Sequence, residues 1–287
     1  MKILIPNLQI PQFFSIAQCL ESISDENIKM LFWNVKEKPI IDVFDENNPD
    51  IVFLHESQLD SSFAFICQRF YNFKYIVLCT NKAPIEFFKP PEALIVYPSV
   101  QHIQKYRTIK VNHIANIASI HNAVYNKSME SDVLVNTTGI NIDQNIYNLL
   151  LYLTNSYRTK IIGDNKVNLH HYLGSVNIFE RANFIKSAKV VVDLGGNDSW
   201  DSSYLKTPPL SLGFVAETIL QFSNTETLKH NIDSLINKDT IRTKYIEKCY
   251  KEVLNNKTSY HFTSEIFNKI NEENVSQKLL AYLKELV

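Results

Sequence analysis

Short apolar runs rich in isoleucine and valine recur along the first part of the chain, at KILIP (2–6), IKMLFW (28–33), DIVFLH (50–55) and KYIVLCT (74–80). Between them lie segments with apolar residues at helical spacing: QFFSIAQCLESI (12–23), IIDVFDEN (40–47) and SSFAFICQRFY (61–71). Strands that alternate with helices in this way predict a parallel sheet covered by helices. ALIVYP (93–98) predicts a further strand. The stretch 99–128 has no clear period, apart from IKVNHIANIA (109–118), which reads as a strand and a connection.

The alternation then restarts. DVLVNTTG (132–139) predicts a strand ending in a glycine turn, and IDQNIYNLLLYLTNS (142–156) an amphipathic helix. KIIGD (160–164) predicts a strand, NLHHYLGSV (168–176) a short strand and turn, IFERANFIKSA (178–188) a helix, and KVVVDLGG (189–196) another strand. LSLGFVAE (210–217) is one more candidate strand, and four helical segments fill 225–287, the first capped by Asn224 or Thr225. The polar run YNKSMESD (125–132) marks a boundary. The expected organisation is one α/β domain over 1–128, a second over 129–274, and a terminal helix over 275–287.

Composition narrows the classes. The chain has 287 residues, 45% hydrophobic and 21% charged, with a net charge of −1. That near-neutral balance argues against tight nonspecific binding to nucleic acid. Cys19, Cys67, Cys79 and Cys249 are scattered without metal-like or C-x-x-C spacing, and three sit in apolar runs. They read as buried thiols in a reducing compartment, so a cytoplasmic location is expected. No apolar run approaches the roughly 18 residues that a membrane-crossing helix needs. The amino-terminal MKILIPNLQI reads as a first strand rather than a signal peptide.

Glycine is scarce and unevenly placed. The six are Gly139, Gly163, Gly174, Gly195, Gly196 and Gly213, with none in the first 138 residues. A backbone that closely approaches a phosphate favours glycine, so a nucleotide site is expected in the second half. Gly195-Gly196 follow Asp193 at the end of an apolar strand, where open α/β sheets place ligands. The following NDSWDSS offers Asp198, Ser199, Asp201, Ser202 and Ser203. These are either ligand contacts at a helix amino terminus or helix caps. His55 and Glu56, just past a predicted strand, read as a general base or as a solvated turn. His102, His113 and His121 are irregularly spaced and offer no metal triad.

The ordered set KIIGD, VNLHHYLGSV and FERANFIKSAKVVVDL, with the helical ending TETLKHNIDSLINKDTIRTKYIEKCYKEVLNN, resembles the donor-binding half of GT-B type glycosyltransferases over about residues 130–275. The resemblance implies two Rossmann-like α/β domains facing across a cleft. It implies a nucleotide-sugar donor (a UDP-, GDP- or ADP-sugar), no further cofactor and no metal. It also implies a nucleobase held by the turn Gly174-Ser175-Val176, with Glu180 either on a ribose hydroxyl or serving only as a first-turn acid. The diphosphate would lie over Gly139, Gly163, Gly195, Gly196, Asp198, Ser202 and Ser203. His55, Glu56 and Asp201 are the implied catalytic groups, and the acceptor is a glycan, protein, lipid or nucleobase. The terminal helix either crosses back to the first domain, as in that family, or packs locally. Two departures stand out: the strand 189–193 is followed by no glutamate pair, and no arginine–lysine pair faces the phosphates. They favour the alternative of a GT-B-shaped binding or assembly protein without catalysis; a glycosyltransferase acting on nucleic-acid bases is a third reading, which the near-neutral charge disfavours.

Overall fold

The computed structural model describes residues 1–7, 10–79, 86–96, 106–110, 123–195, 198–213 and 215–286. Gly196, His102, His113 and His121 lie outside them. The chain divides into two compact units, Met1–Asn112 with Ser259–Val287, and His113–Thr258.

The first unit holds a parallel sheet of β1 (Lys2–Pro6), β2 (Lys29–Trp33), β3 (Ile51–His55), β4 (Lys74–Cys79), β5 (Ala93–Val96) and β6 (Thr108–Lys110), in the order β2-β1-β3-β4-β5-β6. Helices α1 (Pro11–Glu21), α2 (Ile40–Asn47) and α3 (Ser61–Arg69) connect its early strands. Alternate strand residues serve opposite faces. Leu4, Val52, Leu54, Val77 and Val96 meet Phe44, Phe63 and Ile66 from α2 and α3 in one core. The other face carries Phe53, whose ring meets Phe267 at 6.3 Å.

Phe267 explains how the last helices are used. A parallel sheet needs cover on both faces, and α9 (Ser259–Lys269) and α10 (Glu273–Leu286) belong to this unit, with α9 packed on α1. The Tyr260 hydroxyl donates to Ser22 Oγ at 3.0 Å, and Lys74 Nζ to Ile270 O and Glu272 Oε1, both at 2.7 Å. The segment joining the first unit therefore starts at Ser259, whereas the sequence placed a terminal helix at 275–287. An amphipathic helix shows that it has an apolar face, not which sheet that face completes.

The second unit holds β7 (Ser131–Asn136), β8 (Thr159–Ile162), β9 (Ala188–Asp193), β10 (Pro209–Leu212) and β11 (Leu220–Phe222), all parallel, in the order β11-β10-β9-β7-β8. Its helices are α4 (Gln144–Ser156), α5 (Ile178–Ser187), α6 (Asp198–Tyr204), α7 (Thr225–Asn237) and α8 (Asp239–Asn256). Asn224 caps α7 by accepting from Thr227 N at 2.8 Å. The stretch 168–176 makes one isolated bridge, Tyr172 to Ile161, instead of a strand. Among the described residues, no helix is long and apolar enough to cross a membrane.

Candidate functional site

Each sheet has a place where strand order reverses, and in open α/β folds ligands bind beyond the carboxyl ends of the strands there. In the second sheet it lies between β7 and β9, whose last residues Asn136 and Asp193 are register partners. The chain runs into a glycine just past β7, β8, β9 and β10, at Gly139, Gly163, Gly195 and Gly213. Four loops thus each place a glycine at the carboxyl edge of the sheet.

Gly163 is held tightly. Its φ is 141°, and a Cβ there would lie 2.4 Å from Thr137 Oγ1 and 2.7 Å from Thr138 N. Thr137 N donates to Ile162 O at 2.8 Å, and Gly163 N to Gly174 O at 3.0 Å. The Tyr172 hydroxyl donates to Gly163 O at 2.6 Å, and Ser175 Oγ to Asp164 Oδ1 at 2.6 Å. The turn Gly174-Ser175-Val176 is thereby joined to the end of β8. Glu180 lies on the next turn and accepts from Asn177 N at 3.3 Å, completing a capping box with Asn177.

Gly195 differs. Its φ is 107°, and a Cβ there would meet nothing within 4 Å. The left-handed backbone sets this choice, because β9 must turn sharply into α6. Buried Asp193 fixes the turn, accepting from Gly195 N at 3.1 Å, Ser199 N at 2.9 Å and Ser199 Oγ at 2.6 Å. The amino end of α6 is therefore served by a carboxylate of the protein's own.

The remaining polar side chains of α6 also point inward. Asp198, Asp201, Ser202 and Ser203 are all buried. Ser202 Oγ donates to Thr207 O at 2.8 Å, and Ser203 Oγ to Ser199 O at 2.6 Å. Asp201 forms an ion pair with Arg181 of α5, and Asp198 Oδ1 lies 3.6 Å from Arg181 Nη1. These side chains fasten α6 to the domain.

Burial pushes the Asp198 carboxyl up to about 6; Arg181 and a bond from Asn136 oppose the shift, and Asp193 and Asp201 add to it. Its protonated form is thus favoured by folding. This contribution is full below the unfolded value near 3.8 and is lost as pH rises through 6. Asp198→Asn is expected to remove that slope, making the variant more stable than the parent at pH 7.5 by on the order of 2 kcal/mol, with a smaller gain at pH 4.5. Urea unfolding of both proteins across this range checks it.

In the first sheet the reversal lies between β1 and β3, and His55 and Glu56 sit at the end of β3. Ser57 N donates to His55 Nδ1 at 3.2 Å, and Ser57 Oγ lies 2.7 Å from the same atom. This assigns the neutral ring proton to Nε2, which faces Glu56 Oε1 at 3.9 Å. The lone pair that could take a proton is then at Nδ1, beside an exposed hydroxyl. Asp201 belongs to the other unit and is enclosed by its own domain.

Two features went unseen in the sequence. One is Arg181, which reads as a surface cation of a helix. Three aspartates at 193, 198 and 201 around an apolar strand were the available signal that a cation is needed nearby. The other is an open pocket of about 390 Å³ between the ends of β10 and β11 and the first turns of α4 and α7, lined by Leu212, Phe222, Ser223, Asn224, Asn145 and Leu149. Among the described residues, no group of three or more His, Cys, Asp or Glu could hold a metal ion.

No family model matches the sequence. No curated protein matches it either. Solved structures do match in fold. An alpha-glucosyltransferase in complex with UDP-glucose and DNA containing an abasic site aligns with a TM-score of 0.65 at 8% identity, over 94% of this chain and 98% of that one. UDP-GlcNAc 2-epimerase from Neisseria meningitidis, bound to UDP-GlcNAc, aligns with a TM-score of 0.55 at 12% identity, over 99% and 100%. The S. aureus MnaA structure with UDP aligns at 0.52 and 12%, over 94% and 97%. The two-unit α/β arrangement of this chain is the GT-B fold that these proteins share.

Proposed function

We propose that the chain is a glycosyltransferase that binds a nucleotide-sugar donor at the carboxyl edge of the second sheet. The observation that carries this reading is the β7–β9 reversal point, edged by the glycine loops at Gly139, Gly163 and Gly195. Such an edge lets backbone N–H groups approach a diphosphate without side-chain obstruction. The turn Gly174-Ser175-Val176, tied to β8, is the proposed seat of the nucleobase. Support comes from three proteins of the same fold, each solved with UDP or a UDP-sugar. The test is a thermal-shift series with UDP-, GDP- and ADP-sugars and their nucleotides. Stabilisation that rises with ligand concentration supports the reading; no shift with any nucleotide contradicts it.

His55 is the proposed base for the acceptor hydroxyl. That hydroxyl would take the place of Ser57 Oγ at Nδ1, with Glu56 beside Nε2 to balance the imidazolium. His55→Ala is expected to slow nucleotide release from the matching donor by roughly 10²-fold while leaving nucleotide affinity unchanged. Kinetics of that release, with water as acceptor, measure the effect.

A second reading, a GT-B-shaped protein that binds nucleotide without turning it over, is favoured by one observation. The carboxylates of α6 are buried and paired, so this helix presents none at the sheet edge. Nucleotide binding without any release from donor would select it.

A further inference from the structure

Arg181 stands at a junction that the proposed function does not use. It follows Glu180 on α5, directly after the turn Gly174-Ser175-Val176. Its side chain leaves α5 for α6, where Nη1 faces Asp198 and Nη2 pairs with Asp201. Asp198 opens α6, three residues after Gly195, and Asp193 ties Gly195 and Ser199 together. One guanidinium therefore links the turn proposed for the nucleobase to the loop proposed for the diphosphate.

We propose that Arg181 is a positioning residue for the nucleotide site: with Nη2 bonded to Asp201 and Nη1 held 3.6 Å from Asp198 as its counter-charge, it locks the start of α6 against α5. The inference rests on the nucleotide-site reading for its effect on ligand, and on geometry alone for its effect on the loop. The fork is what matters. A planar guanidinium spreads its charge over two nitrogens that reach two carboxylates at once, whereas an ammonium is a single point charge. A lysine at 181 can serve one aspartate and leaves the other buried without its counter-ion, a costly state in a dry layer.

Among the described residues named below, none places a second cation beside Asp198. From β9 comes Asp193, a further negative charge. From β7 comes Asn136, which is neutral and bonds Asp198. β10 contributes Ser211, buried and uncharged. On α8, Cys249 is pushed up to about 11 by burial, and the Tyr250 ring lies 6.0 Å from that of Tyr204 on α6. Lys257, just past α8, has its ammonium over the Trp200 ring at 5.7 Å. Lys186 of α5 points to Leu205 O at 3.5 Å.

The experiment compares the parent, Arg181→Lys, Asp198→Asn and the double variant, by nucleotide titration and by amide hydrogen exchange at Gly195 and Ser199. Arg181→Lys keeps the charge and most of the volume, so a folded protein is expected. It should bind nucleotide about tenfold more weakly at pH 7.5, and the double variant should recover to within about threefold of the parent. Recovery follows because asparagine removes the carboxylate that lysine cannot serve. Lowering the pH towards 5 should restore Arg181→Lys for the same reason, since protonation does what the amide does. Exchange at Gly195 and Ser199 should speed up in Arg181→Lys and slow again in the double variant. Unchanged binding and exchange in Arg181→Lys would overturn the proposal. So would a loss that neither Asp198→Asn nor low pH repairs, because that marks packing alone. If the parent binds no nucleotide, the functional reading fails, and exchange at the two amides still decides the role of Arg181.

Discussion

Gly163→Ala is expected to destabilise the second unit by about 3 kcal/mol, combining a backbone clash with a left-handed φ. A methyl group there would press on Thr137 Oγ1 at 2.4 Å, Thr138 N at 2.7 Å and Thr137 C at 2.8 Å. Two of those atoms are backbone just beyond β7, so no side chain can swing away to relieve the contact. Either the β7 loop or the β8 turn must move, and the hydrogen bond from Gly163 N to Gly174 O would go with it. Both loops border the proposed donor site, so nucleotide affinity should fall together with stability. Gly139→Ala is the comparison. A Cβ at that position meets nothing within 4 Å, and only its φ of 71° resists the change. Its cost should be about 1 kcal/mol. Thermal unfolding of the two variants measures the difference, with Gly163→Ala lower than the parent by roughly 10 °C. Equal melting temperatures for both variants would show that the contact between the loops is not rigid.

Asp193→Ala is the second large expected effect, about 2–3 kcal/mol at neutral pH, because three donors lose a charged, buried acceptor. Those donors are Gly195 N, Ser199 N and Ser199 Oγ. An opposing effect reduces the loss. The Asp193 charge helps to push up the Asp198 carboxyl, so its removal relieves the carboxyl layer. The hydrogen bonds should win, since all three converge on the turn that starts α6. Asp193→Asn separates the two contributions. It keeps one acceptor oxygen and removes the charge, so it should be milder than alanine and show a weaker pH slope between 4 and 6. Urea unfolding at several pH values, read beside exchange of the Ser199 amide, checks both variants. If asparagine is as damaging as alanine, the charge rather than the acceptor count governs the turn.

How much of this was legible in the sequence depends on what each element buries. The strands β1 to β5 and β7 to β9 announce themselves, because a strand covered on both faces must be apolar throughout, as in IVFLH at β3 and AKVVVD at β9. β11 did not. Its three residues LQF sit at the sheet edge with only Phe222 buried, so no apolar run forms. The segment 168–176 reads as a strand but pairs at a single bridge, since Gly174 and the bond of Tyr172 to Gly163 commit it to a turn. Among site features, the glycine positions were legible because backbone geometry restricts what can replace them. The inward direction of Asp198, Asp201, Ser202 and Ser203 was not. A cap, a ligand contact and a buried ion pair use the same residue types, and only the packing of α6 onto β9 and β10 separates them. Arg181 was missed for the same reason. Its partners lie 17 and 20 residues away, on a different helix.

The central claim is that a nucleotide-sugar sits at the β7–β9 edge of the second unit. A crystal structure of the chain grown with the donor that stabilises it most would test this directly. The account predicts the diphosphate over the backbone of Gly139 and Gly195, with the base beside Gly174-Ser175-Val176. A nucleotide found instead in the pocket between β10 and β11, or in the first unit, with the β7–β9 edge unoccupied, would contradict it.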